Sequence, residues 1–68
     1  MSVARVTEIK SSSKVSFDDA LKTGIARASK TLENVRGAWI SSQDVVVDEK
    51  GEISEYRVLL KVTFVLKD

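Results

Sequence analysis

Apolar residues recur along the chain with two different periods. Phe17, Ala20, Leu21, Gly24, Ile25, Ala28, Leu32 and Val35 fall on one stripe at helical spacing, which predicts an amphipathic helix over residues 17 to 35. Ser16 ahead of Phe17-Asp18-Asp19 supplies the start signal: its hydroxyl can accept the Asp19 amide while two carboxylates face the positive helix end. Gly24 sits inside the apolar stripe, where its cost is tolerated if the helix comes close to a strand. Gly37 is the expected stop.

From Ser54 to Leu66 the period changes to two. Tyr56, Val58, Leu60, Val62, Phe64 and Leu66 share one face with Ser54, whereas Glu55, Arg57, Leu59, Lys61, Thr63 and Val65 share the other. A long strand follows, its even face on the helix. Ala38 to Val47 predicts a second strand, joined to the long one by a four-residue connection, Asp48-Glu49-Lys50-Gly51. Val3 to Lys10 predicts a short first strand before the polar run Ser11-Ser12-Ser13-Lys14. The expected fold is α+β, ordered β-α-β-β: one domain over residues 1–68, with a three-stranded antiparallel sheet wrapped against one helix.

Length bears directly on this layout. A compact monomer of 68 residues removes only about 60% of the surface that its unfolded chain exposes. Domains this small gain stability from disulfides, a structural metal or oligomerisation. The chain has no Cys and no His, which excludes disulfides, thiolate or imidazole zinc sites and every Cys-His or Ser-His catalytic arrangement. Oligomerisation remains. The odd face of the last strand, with Leu59 and Val65 among Arg57, Lys61 and Thr63, reads either as an ordinary solvent face with two stray apolar residues or as a protein interface; the size argument favours the interface.

Charge and motifs exclude more. A net charge of +1, with eleven Lys and Arg scattered through the chain, gives no reason to expect a nucleic-acid partner. There is no apolar run long enough for a membrane span and no signal-peptide pattern over Met1 to Lys10, so a cytoplasmic location is expected. Asp18 and Asp19 are better explained by helix capping than as an acid-base pair. Ser11, Ser12 and Ser13 have no base nearby in the sequence, and there is no glycine-rich phosphate loop.

The element order, together with Glu8-Ile9 before a Ser-rich turn, Ala20, Ile25-Ala26-Arg27-Ala28 and Thr31-Leu32 on the helix, and Tyr56-Arg57-Val58 through Val62-Thr63-Phe64 in the last strand, resembles the dodecin family over nearly the whole chain. That resemblance implies a hollow homododecamer, not an enzyme. In the flavin-binding branch it implies storage of stacked flavins (riboflavin, FMN or FAD) at subunit interfaces. There a tryptophan at the start of the second strand stacks on the flavin ring and a glutamine on the third strand hydrogen-bonds its edge. Aligned without gaps from Thr31-Leu32, the tryptophan position falls on Gly37 and the glutamine position on Arg57, both departures from the family pattern. Trp39, two residues on, fills the stacking position only if the preceding loop is two residues longer.

The ligand-binding candidates are therefore Trp39, Arg57 and Gly37. Trp39 offers a flat aromatic surface or, alternatively, an interface anchor. Arg57 offers a donor fork for carbonyl or phosphate oxygens or, alternatively, pairs with Glu55 or Asp44. A second branch of the family, which lacks the tryptophan, implies calcium. Asp44, Asp48 and Glu49 could supply some of its oxygen ligands, although three carboxylates at a hairpin are commonly solvated turn residues. A dodecin-like cage without flavin, structural or calcium-binding, is the alternative to a flavin store.

Overall fold

The computed structural model describes residues 3–66. Met1, Ser2, Lys67 and Asp68, part of the expected domain, lie outside the described residues. Four elements follow in the order β1 (Ala4–Ser13), α1 (Phe17–Thr31), β2 (Val35–Val47) and β3 (Ile53–Val65). The sheet is antiparallel with β3 in the centre, in the order β1-β3-β2. The β-α-β-β expectation holds.

Central position explains the composition of β3. Val58, Leu60 and Val62 are completely buried and form the core with Ala20 of α1, while Ile9, Phe17, Leu21, Ile25, Leu32, Val35 and Ala38 pack around them. The even face of the strand therefore lies on the helix, as the period-two pattern requires. The helix presents a row of small residues, Ala20, Gly24 and Ala28, all buried. A Cβ at Gly24 would stand 2.8 Å from Leu60 Cδ1 and 3.0 Å from Ser11 Cβ. At the glycine, helix and sheet are thus in close contact.

The corner between β1 and α1 is built by hydroxyls. Ser13 Oγ donates to Asp19 Oδ2 at 2.6 Å and accepts from the Val15 amide at 2.9 Å. Ser16 Oγ caps the helix by accepting the Asp19 amide at 3.0 Å. Asp18 pairs instead with Lys22, one turn on, at 3.1 Å, an exposed pair of small energetic weight. The polar run Ser11 to Ser13 is consequently strand and not turn, and β1 begins one residue later and ends three residues later than its composition suggests.

Two further boundaries differ from expectation. The helix stops at Thr31, with Leu32 already extended as its C-cap. Asn34 adopts a φ of 60°, a left-handed conformation that asparagine tolerates, and its carbonyl accepts the Val65 amide at 3.0 Å. Gly37 ends nothing; it lies in β2, next to a bulge between Val35 and Gly37. Leu32 and Val35 still reach the core from outside the helix, which is why the apolar period overran the helix end. The β2–β3 connection also takes in Glu52. Asp48 exchanges backbone hydrogen bonds with Glu52 and Gly51, its Oδ1 accepts the Lys50 and Glu52 amides at 2.9 Å, and Gly51 supplies the positive φ of 81°.

The molecule is long and thin, 52 × 19 × 14 Å with a radius of gyration of 14.0 Å, where a compact chain of this size has about 11 Å. It exposes 5015 Å², against about 4,200 Å² for a compact monomer. Beyond the edge-to-face contact of Phe17 with Tyr56, whose ring centroids are 5.1 Å apart, the β2–β3 ribbon runs on to its hairpin, leaving the register partners Val47 and Ile53 about half exposed.

Gly24→Ala tests the close approach. Helix propensity favours alanine by about 1 kcal/mol, but overpacking a filled site costs about 1–3 kcal/mol, and both Leu60 Cδ1 and Ser11 Cβ would have to give way. A lower denaturation midpoint is expected; a higher one would show that the helix and sheet are not in tight contact there.

Candidate functional site

Because cross-strand partners share a face, the register assigns every residue of the sheet to the helix side or the open side. On the open side the rows run Gly37–Thr63–Val6, Trp39–Lys61–Glu8, Ser42–Leu59–Lys10 and Asp44–Arg57–Ser12. Trp39, Gly37 and Arg57 all lie on this face, away from α1. The structure brings the three predicted residues to one surface but not to one point. Trp39 and Arg57 are separated by four residues of β3 register, about 13 Å along the strand.

Trp39 is 49% exposed, a large apolar surface left open for a single tryptophan. Gly37 stands one pleat away on the same strand, and a Cβ added there would meet nothing within 4 Å. The surface beside the indole is therefore clear on that side. Bulges between Val35 and Gly37 and between Ile40 and Ser42 bracket this stretch of β2; bulges twist a strand and re-aim its side chains.

Arg57 is already engaged. Its Nε donates to Asp44 Oδ1 at 3.1 Å and its Nη2 to Asp44 Oδ2 at 2.6 Å, the two-pronged geometry that suits a guanidinium to a carboxylate. Asp44, not Glu55, is the partner; Glu55 adds only a Coulombic contribution. The hydrogen bond from Arg57 holds the Asp44 carboxyl below the usual carboxylate range, with partial desolvation opposing it and the charges of Arg57 and Lys10 reinforcing it. Both side chains are substantially exposed, so the pair sets the local β2–β3 geometry more than it adds stability.

The calcium candidates do not converge. Asp44 is bound to Arg57, Asp48 Oδ1 is used by two hairpin amides, and among the described residues no group of three acidic side chains is placed to hold a metal ion. A groove of about 590 Å³ lies elsewhere, between the edge of β1 and α1, lined by Lys10, Ser11, Thr23, Gly24, Arg27 and Thr31 among others. It contains none of the three candidates. Their surface is an open sheet face, not a cleft, and can enclose a ligand only if another molecule covers it. The place of Lys61 beside Trp39 is hidden in the sequence, because the pairing of residue 39 with residue 61 depends on where the hairpin closes, at Val47 and Ile53, and on two offsetting irregularities at Val46/Val47 and Ile40/Ser42.

A three-stranded antiparallel sheet covered by one helix on one face, with the single tryptophan on the bare face, defines a small α+β fold of β-α-β-β order. The chain belongs to the dodecin family, whose model matches residues 3–67. It is 34% identical over 67 residues to the calcium dodecin of Mycobacterium tuberculosis, covering 98% of this chain and 93% of that protein. Among solved structures it is similar to the dodecin of Streptomyces davaonensis (TM-score 0.92, 33% identity, 98% of this chain and 97% of the other). It is also similar to a single-residue variant of the T. thermophilus dodecin (TM-score 0.91, 28% identity, 100% and 98%). Membership supports a dodecin-like, small-ligand-binding protein; the family binds flavins, and calcium is named for one of these relatives. No helix among the described residues is long and apolar enough to cross a membrane.

The Asp44–Arg57 pair has a pH signature. A depressed folded-state pKa means that the pair's contribution is fully present above the unfolded Asp value of about 3.9 and is lost only as pH falls through the lower folded value. An NMR titration of the Asp44 carboxyl is expected to show a midpoint below that of free aspartate, moving up in Arg57→Gln. An unchanged midpoint in that variant would contradict the pairing.

Proposed function

We propose that the protein is a non-enzymatic, homo-oligomeric container of the dodecin type, a homododecamer, that sequesters a flavin (riboflavin, FMN or FAD) or a similar flat aromatic molecule between its subunits. The observation that carries this is the half-exposed Trp39 on the helix-free face of the sheet, with clear space at Gly37. An indole left open on a bare sheet face suits stacking against a planar ring, and stacking of a planar base on an aromatic side chain is worth about 1–3 kcal/mol in other proteins.

Arg57 closes the far end of the surface. Asp44 takes two of its five N–H donors, and the remaining three can still face a carbonyl or phosphate oxygen. The elongated shape and the half-exposed Val47 and Ile53 support completion by neighbouring copies. Since the candidate surface is open, the binding site is formed only in the assembly. Sequestration, in turn, asks for no catalytic group, only a stack and a cover.

A cage that binds calcium in place of flavin is the second reading, favoured by the similarity to calcium dodecin. Asp44, Asp48 and Glu49 of one chain do not form a ligand set, so ligands from other copies would have to complete it.

Titration with riboflavin and FMN separates these. Quenching of Trp39 fluorescence at micromolar flavin is expected, with about a tenfold or greater loss of flavin affinity in Trp39→Ala and no change in the mass of the assembly. No quenching would defeat the flavin reading. Dissociation of Trp39→Ala would make the indole an interface anchor.

A further inference from the structure

The register identifies the polar neighbour of Trp39, and it is not Arg57. Trp39 of β2 is paired directly with Lys61 of β3, and direct partners hold their Cβ atoms about 4.5–5.5 Å apart. Arg57 lies about 13 Å further along the strand, with two of its donors on Asp44. The residues flanking Lys61 on the open face, Leu59 and Thr63, are uncharged. On its other side Lys61 faces Glu8 of β1 in register, yet no Lys61–Glu8 ion pair forms among the described residues, where the pairs are Lys22–Asp18 and Arg57–Asp44. Arg36, the extra residue at the bulge between Val35 and Gly37, adds a second cation at this end of the sheet.

We propose that Lys61 sets ligand choice at the Trp39 surface, selecting an aromatic ligand that carries an anionic group, such as the phosphate of FMN, over a neutral one such as riboflavin. This rests on the flavin reading above and deepens it. The chemistry follows from the ammonium group: it has three N–H donors and no acceptor, so it rewards negative charge and carbonyl oxygen and offers nothing to a ring N–H. It is partly buried and lies beside an indole, where apolar surface lowers the local dielectric and strengthens a charge–charge contact relative to water. Glu8 sits one strand further from Trp39, about 4.8 Å, and opposes the preference without cancelling it, because Lys61 is the nearer charge. Lys61 is thus a specificity-determining residue, while the stack on Trp39 supplies the affinity common to both ligands.

The test is a pair of titrations of the assembled protein, with FMN and with riboflavin, followed by Trp39 quenching at low and at high salt. At low salt FMN is expected to bind about fivefold more tightly, the scale of one incompletely screened charge pair. The ratio should fall towards one at about 1 M salt, where the screening length is near 3 Å. Lys61→Gln should bring the low-salt ratio to near one while leaving riboflavin affinity within about twofold, and Lys61→Arg should keep the preference. Equal affinities in the unmodified protein, or a preference that survives Lys61→Gln, would overturn the assignment while leaving flavin binding intact. If neither flavin quenches Trp39, the assignment falls together with the flavin reading. If Lys61→Gln fails to assemble, Lys61→Met takes its place, removing the charge while keeping the length of the side chain, and the same loss of the low-salt ratio is expected.

Discussion

The structure depends on the close approach of α1 to the central strand. The small residues Ala20, Gly24 and Ala28 let the helix come down onto the sheet, and Ala20 with Val58, Leu60 and Val62 makes up the fully buried hydrophobic core among the described residues. A single side-chain carbon at Gly24 would collide with both Leu60 and Ser11, so the same glycine fixes the distance from the helix to β3 and to β1. With little apolar volume available in so short a chain, tight packing of small residues substitutes for a large core.

That solution covers only one face. β3 is flanked on both sides but backed by a helix on one, and the other face carries Trp39, Leu59, Lys61 and the Asp44–Arg57 pair, with no element among the described residues packed over them. Extended shape, half-exposed aliphatic residues at the hairpin and excess surface have this common origin. Function enters at the same place. A bare sheet face with one open indole cannot exclude water by itself, but two such faces brought together can hold a flat ligand between them. In the proposed function, assembly and binding both follow from the same one-sided core.

Much of this was legible from spacing. The period-two run from Tyr56 to Phe64 identified both the strand and its buried face, and the Ser16–Asp19 cap appears as the sequence suggests. Gly24 was readable as a point of close approach because it interrupts an apolar stripe at a cost that only contact repays. What failed did so for physical reasons. Leu32 and Val35 belong to the core without belonging to the helix, so hydrophobic period could not mark the helix end, and the backbone is already extended at Leu32, five residues before the Gly37 expected to stop it. The serines at 11 to 13 looked like a turn by composition, yet Ser11 packs against the helix at Gly24 and Ser13 Oγ ties the strand to the helix start. At the site, Asp44 is one of two carboxylates that the sequence offers to Arg57, whereas the pairing of Trp39 with Lys61 was beyond reach: it depends on where the hairpin closes and on two offsetting irregularities that nothing in the sequence marks.

The central claim is that this protomer is not a complete folding unit and gains its cover from copies of itself. Sedimentation equilibrium combined with thermal unfolding over a range of protein concentrations measures it most directly. Folded protein is expected only as a defined multiple of the 7.5 kDa chain, twelve if it follows the family, with a melting temperature that rises with concentration. A folded 7.5 kDa monomer that melts cooperatively at a concentration-independent temperature would contradict it.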